Sequence, residues 1–85
     1  MYFVYIIKSQ KVKALYIGNT NNFAKRLEQH NAGLSASTKR YIPWYPVYLE
    51  GYANKDDAKD REEKLKQFGK VYSQLKRRVR RSLLS

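Results

Sequence analysis

The segment that most constrains the fold is YFVYIIK at residues 2–8. It is rich in β-branched and aromatic residues, contains neither glycine nor proline, and has the length of a strand. Both of its faces are apolar, with Val4 and Ile6 on one side and Tyr5 and Ile7 on the other. Because a strand of this kind must be covered on both faces, the segment predicts a strand at the centre of its sheet.

A second, shorter strand is predicted at residues 14–17, after a polar turn. If the two strands form a hairpin with Lys8 opposite Lys13, Tyr5 falls opposite Tyr16. Opposed residues of an antiparallel pair present their side chains on one face of the sheet. This register therefore predicts neighbouring tyrosine rings, and a slip by one residue would separate them.

The first helix is predicted to span about residues 21–31, after Gly18 ends the strand and the run NTNN at 19–22 supplies a cap. At helical spacing, Arg26 and His30 border the apolar stripe of this helix rather than its solvent face. An arginine in that position needs a partner, either a phosphate or an acidic side chain. A guanidinium that snorkels to the surface is the alternative interpretation.

Residues 33–45 show no periodicity and predict a long connection, which in a small domain is often functional. The segment carries hydroxyl groups and cations, which suit a phosphate backbone. Thr38, Lys39 and Arg40 are therefore predicted to contact nucleic acid, whereas Trp44 is predicted to hold the loop to the core.

A third strand at residues 46–52 is followed by a second helix, capped by Asn54 and running to about Phe68. Glu62 falls on the inward face of this helix, where a carboxylate is costly without a cation. One interpretation is a buried ion pair between Glu62 and Arg26. The other interpretation is a metal ligand, and spacing does not decide between them.

A basic amphipathic helix is predicted over about residues 70–83, after Gly69 ends the second helix. Its apolar stripe would dock on the domain and leave its cations exposed. The residues predicted to contact phosphates are Arg77, Arg78, Arg80 and Arg81. A solvated helix that simply uses arginine would show the same pattern. The elements read in the order β-β-α-β-α-α, an α+β arrangement in one domain of 85 residues.

Composition narrows the class of partner. The net charge is +11, and 18 Lys and Arg accompany eight tyrosines, which favours nucleic acid over an anionic membrane surface. The absence of cysteine excludes disulfides and thiolate zinc sites, and a single histidine excludes a histidine-rich metal site. No membrane span, signal peptide or motif for an organic cofactor is present, so a cytoplasmic protein is expected.

A spaced set of residues resembles the GIY-YIG nuclease superfamily, above all its small single-domain bacterial members. The set comprises Val4-Tyr5-Ile6, then Tyr16-Ile17-Gly18 with its tyrosine eleven positions after Tyr5, then Arg26, His30 and a glutamate on a later helix. The runs YIGNTNNFAKRLEQHN and AKDREEKLKQF also fit that group. The resemblance covers roughly residues 2–70.

The resemblance implies a three-stranded antiparallel sheet flanked by helices and metal-dependent hydrolysis of phosphodiester bonds in nucleic acid, with DNA favoured over RNA. Tyr5 and Tyr16 take the places of the two motif tyrosines, with Tyr16 as the base and Tyr5 positioning or sharing the proton. Arg26 would bind the scissile phosphate, Glu62 would hold one Mg²⁺ or Mn²⁺, and His30 would bind the phosphate or orient Tyr16.

Two further observations keep other functions open. Asn19 stands where some active relatives carry lysine, and the loss of that cation bears on how a tyrosine is activated. The chain contains no separate DNA-recognition domain, which predicts weak sequence specificity. The alternatives are a catalytically inactive nucleic-acid-binding domain on the same scaffold, and a small domain that acts through a protein partner.

Overall fold

The computed structural model describes residues 1–67 and 69–84 and has one antiparallel sheet of three strands in the order β2-β1-β3. The predicted α+β class and element order are therefore confirmed, with one further short helix at the end. The elements are β1 (Tyr2–Ser9), β2 (Leu15–Thr20), α1 (Phe23–Asn31), a 3₁₀ turn (Lys39–Tyr41), β3 (Trp44–Tyr52), α2 (Lys55–Gln67), α3 (Gly69–Arg78) and α4 (Arg80–Leu84). None of the helices in these ranges is long and apolar enough to cross a membrane.

The central strand β1 is covered on both faces, as its sequence predicts. Val4 and Ile6 are buried on one face, in a cluster with apolar residues of α2 and α3. Tyr5 and Ile7 are buried on the other face together with Trp44, and residues of α1 pack against them. The two clusters stabilise the sheet from opposite sides, since burial of apolar side chains is the main favourable contribution to folding.

The register of the first hairpin differs from the predicted one by two residues. Tyr5 lies opposite Gly18, and Tyr16 lies opposite Ile7, so the predicted pairing of the two tyrosines is wrong. A shift of two residues leaves every side chain on the same face, because side chains alternate with a period of two. The two rings are therefore diagonal neighbours on one face, with centroids 6.4 Å apart.

The second strand also runs further than predicted. It begins at Leu15 and continues through Gly18 to Thr20, so Gly18 does not end it. The glycine instead lies inside the strand, where its missing side chain makes room for the ring of Tyr5. A Cβ atom at this position would lie 2.4 Å from the Tyr5 hydroxyl oxygen, a distance that no unstrained contact adopts.

The first helix keeps the predicted signals at both ends. Asn22 is its N-cap and accepts a hydrogen bond from the backbone N–H of Lys25 at 3.1 Å. Gly33 follows the helix with a φ of +79°, a conformation that glycine adopts at little cost. The third strand begins at Trp44, so Pro46 lies within it. The proline is tolerated because β3 is an edge strand and its pairing with β1 is irregular beside this position.

The predicted C-terminal helix is two helices that meet at Val79. Gly69 is the first residue of α3, whereas Phe68, the predicted end of the second helix, lies outside the described residues. Apolar residues spaced by four positions occur on both sides of Val79, so the sequence pattern did not reveal the break. The Lys8 Nζ donates a hydrogen bond to the carbonyl oxygen of Leu83 and ties α4 to β1.

Candidate active site

The site is organised by the ring of Tyr5, which crosses the backbone of β2 at Gly18. Tyr5 is 1 % exposed, and its hydroxyl lies against the glycine. Its ring also packs against Phe23 of α1, with centroids 5.3 Å apart. The Tyr16 ring lies beside the Tyr5 ring on the same face of the sheet and is half-buried. The sheet therefore holds one closed tyrosine and one partly open tyrosine side by side.

His30 is fully buried beneath these two rings. Its Nε2 is 2.8 Å from the Tyr5 hydroxyl oxygen, and its Nδ1 is 2.7 Å from the hydroxyl oxygen of Thr38. The Tyr16 ring meets the imidazole at its edge, with centroids 5.1 Å apart. Both ring nitrogens are engaged within the protein, so the geometry does not support a phosphate contact from His30. Its hydrogen bond orients Tyr5, while its contact with Tyr16 is a ring contact.

Thr38 is buried, although it is one of the residues predicted to contact nucleic acid. Its side chain is fully buried, and its hydroxyl is bonded to His30. A side chain with no accessible surface does not touch a substrate, so the prediction that Thr38 contacts nucleic acid is wrong. Its backbone carbonyl accepts a hydrogen bond from Nε1 of Trp44 at 2.8 Å, which gives Trp44 the predicted structural role.

Burial shifts the pKa values of both buried members of the cluster. It raises the pKa of Tyr5 to about 12, an effect opposed by a hydrogen bond with Arg26. It lowers the pKa of His30, and the positive charge of Arg26 lowers it further. At neutral pH, Tyr5 is therefore a phenol and His30 is a neutral imidazole.

Arg26 extends from α1 toward this cluster and is half-buried. Its Nη1 donates to Oε1 of Gln29 at 3.2 Å, and its charge acts on Tyr5. Among residues 1–67 and 69–84, no carboxylate forms a salt bridge with Arg26, so the interpretation that Arg26 and Glu62 form an ion pair is wrong. The site therefore presents a guanidinium whose charge is not neutralised by a side chain.

Glu62 lies on the inner side of α2, and its side chain is 13 % exposed. Its Oε2 forms a salt bridge with Nζ of Lys66 at 2.7 Å, and its Oε1 accepts a hydrogen bond from the side-chain amide of Asn19. Its negative charge contributes to the raised pKa of Tyr5. The carboxylate is therefore within electrostatic range of the tyrosine cluster, although it lies on a different element.

Lys66 is a residue of the site that was not predicted from the sequence. Its Nζ bridges Glu62 and the ring of Tyr16, whose centroid is 5.9 Å away. The signal that could have revealed it is the spacing of a glutamate and a lysine four residues apart on one helix. A shallow pocket opens beside this lysine, and its lining residues are Leu15, Tyr16, Ile17, Leu65, Lys66 and Tyr72.

The donor atoms around Glu62 fit a hydrated magnesium or manganese ion. The part of the chain that the structure describes holds no group of three His, Cys, Asp or Glu residues arranged as a metal cluster. Mg²⁺ keeps several of its waters and is commonly held by one or two carboxylates together with substrate phosphates. A single carboxylate beside the amide of Asn19 is consistent with that mode of binding, and each carboxylate oxygen retains a lone pair for it.

The remaining predicted contacts are exposed cations in two segments. Lys39 and Arg40 lie in the 3₁₀ turn, and the Arg40 guanidinium lies 5.9 Å from the ring centroid of Tyr41. Four exposed arginines surround the junction of α3 and α4, namely Arg77, Arg78, Arg80 and Arg81. Both segments are accessible to a polyanion. Their contact with nucleic acid stays a prediction.

Comparison with known proteins places the chain among catalytic domains. Residues 1–79 match the family model of the GIY-YIG catalytic domain. A UPF0213 protein of Clostridium perfringens is 43 % identical over 67 residues, which cover 78 % of this chain and 71 % of that protein. A UPF0213 protein of Staphylococcus haemolyticus is 40 % identical over 70 residues, which cover 81 % and 84 %. The structure-specific endonuclease subunit SLX1 homolog of Giardia intestinalis is 43 % identical over 54 residues, which cover 59 % of this chain and 15 % of that protein.

Proposed function

Because the chain belongs to the GIY-YIG family of nuclease catalytic domains, we propose that it is an endonuclease that hydrolyses phosphodiester bonds of DNA with one Mg²⁺ or Mn²⁺. The observation that supports this most is the convergence of a half-buried tyrosine, an arginine without a carboxylate partner among the described residues and a mostly buried glutamate around β2. Tyr16, Arg26 and Glu62 come from three different elements, and packing against the sheet brings them together. The endonuclease name of the Giardia relative is consistent with the same chemistry.

Arg26 binds the scissile phosphate in this proposal. Its guanidinium has no carboxylate partner among the described residues, so its charge is available to an anion. A guanidinium presents a planar fork of donors that matches two phosphate oxygens. Its positive charge favours the transition state, in which negative charge grows on the phosphoryl oxygens.

Tyr16 takes the proton of the attacking water. A tyrosine at its free pKa of about 10 is ionised in only about one molecule in a thousand near pH 7, and lowering that pKa by three units takes roughly 4 kcal/mol of differential stabilisation. Lys66 lies over the ring of Tyr16, and Arg26 lies in the same cluster. Burial makes Tyr5 the poorer base, because it raises the pKa of that phenol to about 12. Tyr5 therefore positions the reactants.

Glu62 would hold the metal ion. When bound there, the ion supplies positive charge to the phosphate oxygens. Lys66 forms a salt bridge with the same carboxylate. It is the cation best placed to take the role of the lysine that some active relatives carry at the position of Asn19. The site thus keeps a cation beside Tyr16 on α2 rather than on β2.

The exposed cations hold the nucleic acid without reading its sequence. Lys39 and Arg40 on the 3₁₀ turn and the four arginines at the junction of α3 and α4 contact backbone phosphates. Contacts of this kind fix orientation and raise affinity for any sequence. They agree with an excess of 18 basic over 7 acidic residues in the chain.

The test is a cleavage assay on single-stranded, duplex, flapped and branched DNA and on RNA, with Mg²⁺, Mn²⁺ or EDTA. We expect cleavage of DNA that EDTA abolishes and that Glu62→Gln abolishes in a folded protein. Glu63→Gln is the matched control, since Glu63 is exposed on the next position of the same helix. Cleavage that survives in Glu62→Gln or in EDTA would contradict the proposal.

Binding without cleavage would favour the second candidate, a nucleic-acid-binding domain on the nuclease scaffold. The observation that favours this candidate is Asn19, whose amide bonds Glu62 where some active relatives carry lysine. In that case Asn19→Lys is the informative variant. Cleavage gained by Asn19→Lys would show that the missing cation alone silences the site.

A further inference from the structure

The neutral imidazole of His30 lies between two buried hydroxyl groups, and this arrangement limits where its proton can be. Nε2 is 2.8 Å from the hydroxyl oxygen of Tyr5, and Nδ1 is 2.7 Å from that of Thr38. A neutral imidazole has one N–H donor and one bare nitrogen that accepts. His30 therefore accepts a hydrogen bond from one hydroxyl and donates a hydrogen bond to the other.

The two hydroxyls differ in their other surroundings. Thr38 is fully buried, and among residues 1–67 and 69–84 the Nδ1 of His30 is the only hydrogen-bond partner of its hydroxyl. The Tyr5 hydroxyl is also bonded to His30, and Tyr5 is 1 % exposed, but it lies beside Arg26 and Tyr16, which are only half-buried, and so on the more open side of the cluster. A buried hydroxyl proton that lacks an acceptor is unfavourable, so the proton of Thr38 is the one that requires the imidazole.

We propose that Thr38 is a positioning residue whose hydroxyl donates to Nδ1 of His30 and so keeps the imidazole proton on Nε2, directed at the oxygen of Tyr5. The Tyr5 oxygen then accepts from His30, and the phenolic proton is turned toward the substrate side of the site. The effect on catalysis rests on the proposed function, whereas the position of the proton does not.

The loop around Thr38 is built to hold its side chain in place. Its backbone N–H donates to the carbonyl oxygen of Ser35 at 3.2 Å, and its own carbonyl accepts from Nε1 of the buried Trp44 at 2.8 Å. A fixed backbone leaves the hydroxyl few directions in which to turn. The lowered pKa of His30, due to burial and then to the charge of Arg26, keeps the imidazole neutral, as the two opposed hydrogen bonds require.

The direction of these two hydrogen bonds, from Thr38 to His30 and from His30 to Tyr5, favours negative charge on the Tyr5 oxygen. If Thr38 donates to His30 and His30 donates to Tyr5, each bond strengthens as negative charge develops on the Tyr5 oxygen. The positive charge of Arg26 acts on the same hydroxyl and favours negative charge on its oxygen. The reverse direction would make Tyr5 donate to His30 and would oppose any charge on its oxygen.

The first test is a long-range ¹H–¹⁵N NMR spectrum of the whole protein labelled with ¹⁵N-histidine, at a pH where the ring is neutral. His30 is the only histidine of the chain, so its two ring nitrogens give the only signals. We expect the pattern of a ring protonated on Nε2 with a bare, hydrogen-bonded Nδ1. A ring protonated on Nδ1, or an even mixture of the two forms, would overturn the proposal.

Three variants assign that pattern to Thr38. Thr38→Val keeps the shape and removes the donor, so the Nδ1 resonance should move to that of a nitrogen without a hydrogen bond, whereas Thr38→Ser should leave it close to its original position. Tyr5→Phe should leave the proton on Nε2, because Thr38 still needs Nδ1 as its acceptor. An unmoved resonance in Thr38→Val, or a proton that transfers to Nδ1 in Tyr5→Phe, would contradict the assignment. Tyr5→Phe and Thr38→Ser decide the question if Thr38→Val does not fold.

The second test is steady-state cleavage by the same proteins with Mg²⁺. We expect Thr38→Val to lower kcat by about five-fold with KM unchanged, and Thr38→Ser to restore it. An unchanged kcat in folded Thr38→Val would refute the catalytic part of the proposal. An original protein that cleaves nothing would instead refute the proposed function, and the NMR result on His30 would stand on its own.

Discussion

Two clusters in this protein contain the same kinds of residue and differ in how completely they are closed. In one cluster, Glu50 of β3 accepts hydrogen bonds from the hydroxyls of Tyr48 at 2.6 Å and Tyr52 at 2.7 Å, and a salt bridge from Arg61 at 2.7 Å. In the other cluster, tyrosines, an arginine and a glutamate surround β2. There Glu62 is paired with a half-exposed lysine and an asparagine, and its arginine neighbour has no carboxylate among the described residues.

The difference shows how a candidate active site can be distinguished from a structural cluster without a bound ligand. The Glu50 cluster, defined as Tyr48, Glu50, Tyr52 and Arg61, satisfies each of its charged groups internally and gains stability from doing so. The cluster around β2 leaves one cation unneutralised and pairs its carboxylate with partners that solvent can replace. A cluster that is incomplete in this way can bind an anion and a cation together, as a phosphodiester and a metal ion require.

The largest expected effect separates the two glutamates by activity. Glu62→Gln should lower the cleavage rate by at least about 10³-fold, to no detectable cleavage in the assay described above, since it removes the charge that would hold the metal ion. The free energy of unfolding should change by less than about 0.5 kcal/mol, because the pair with Lys66 is a partly exposed i, i+4 pair. Single-turnover cleavage and urea unfolding measure the two quantities. A Glu62→Gln protein that cleaves normally would remove the distinction between the clusters.

The second effect separates the two tyrosines within the open cluster. Tyr16→Phe should lower the rate by about 10²-fold, the contribution of a general base, and should change the pH dependence of kcat. Tyr5→Phe should have a smaller effect and leave the shape of the pH profile intact, since burial raises the pKa of Tyr5 to about 12 and makes it a poor base. The reverse order of effects would assign the base to Tyr5.

The third effect separates the two glutamates by stability. Glu50→Gln should lower the free energy of unfolding by about 1–2 kcal/mol, because it replaces charge-assisted hydrogen bonds from three partners with neutral ones. Cleavage by the folded protein should be unchanged. The urea midpoint with an unchanged slope is the measurement. Lost cleavage in a fully folded Glu50→Gln protein would show that the Glu50 cluster also serves the reaction.

The same cluster should make stability depend on pH at the acid end. Burial alone would raise the pKa of Glu50, but the hydrogen bonds from Tyr48, Tyr52 and Arg61 outweigh it and hold the pKa below its ordinary value. A carboxyl with a lower pKa in the folded state binds its proton less readily than in the unfolded chain. Its contribution is therefore present above the ordinary glutamate pKa and is lost as pH falls through the lowered value. The decline should be shallower in Glu50→Gln, and equal slopes would argue against it.

The smallest effect concerns the exposed arginines outside both clusters. Replacing Arg77, Arg78, Arg80 and Arg81 by glutamine should weaken binding to DNA and reduce the slope of log K against log salt by about 0.9 for each phosphate that the protein no longer neutralises. The rate of cleavage at saturating DNA should stay the same. Affinity and slope that do not change would remove these arginines from the interface.

Much of the fold could be predicted because it follows from local patterns. Apolar residues on both sides of β1 required cover on both faces, and Asn22 and Gly33 marked the ends of α1. The register could not be predicted beyond its parity, since pattern fixes which face a side chain takes and not which residue it opposes. The prediction for Gly18 was wrong for a related reason, because a glycine can serve a turn or a close approach, and only the partner across the sheet decides between them.

The site was predictable as a set of residues and unpredictable as a set of contacts. Spacing indicated that Arg26 and Glu62 both need partners, but their separation in space depends on how α1 and α2 pack. Thr38 lies in a segment without periodicity, so nothing in the sequence showed that its hydroxyl is buried against His30. The break at Val79 was equally hidden, because the four-residue spacing of apolar side chains is the same in one helix as in two.

Because Tyr5 lies so close to Gly18, the residue at position 5 limits which residues can occupy position 18 during evolution. While the tyrosine is kept, any side chain at position 18 would meet its hydroxyl, so the glycine cannot drift. Once a descendant carries a smaller side chain in place of the Tyr5 ring, whose Cζ would lie 2.6 Å from a Cβ at position 18, the tightest of these contacts is gone, and ordinary strand-forming residues become more acceptable there. A side chain at the position of Gly18 would therefore mark a lineage in which the ring of Tyr5 has been lost or displaced, and it could be read from sequence before any activity is measured.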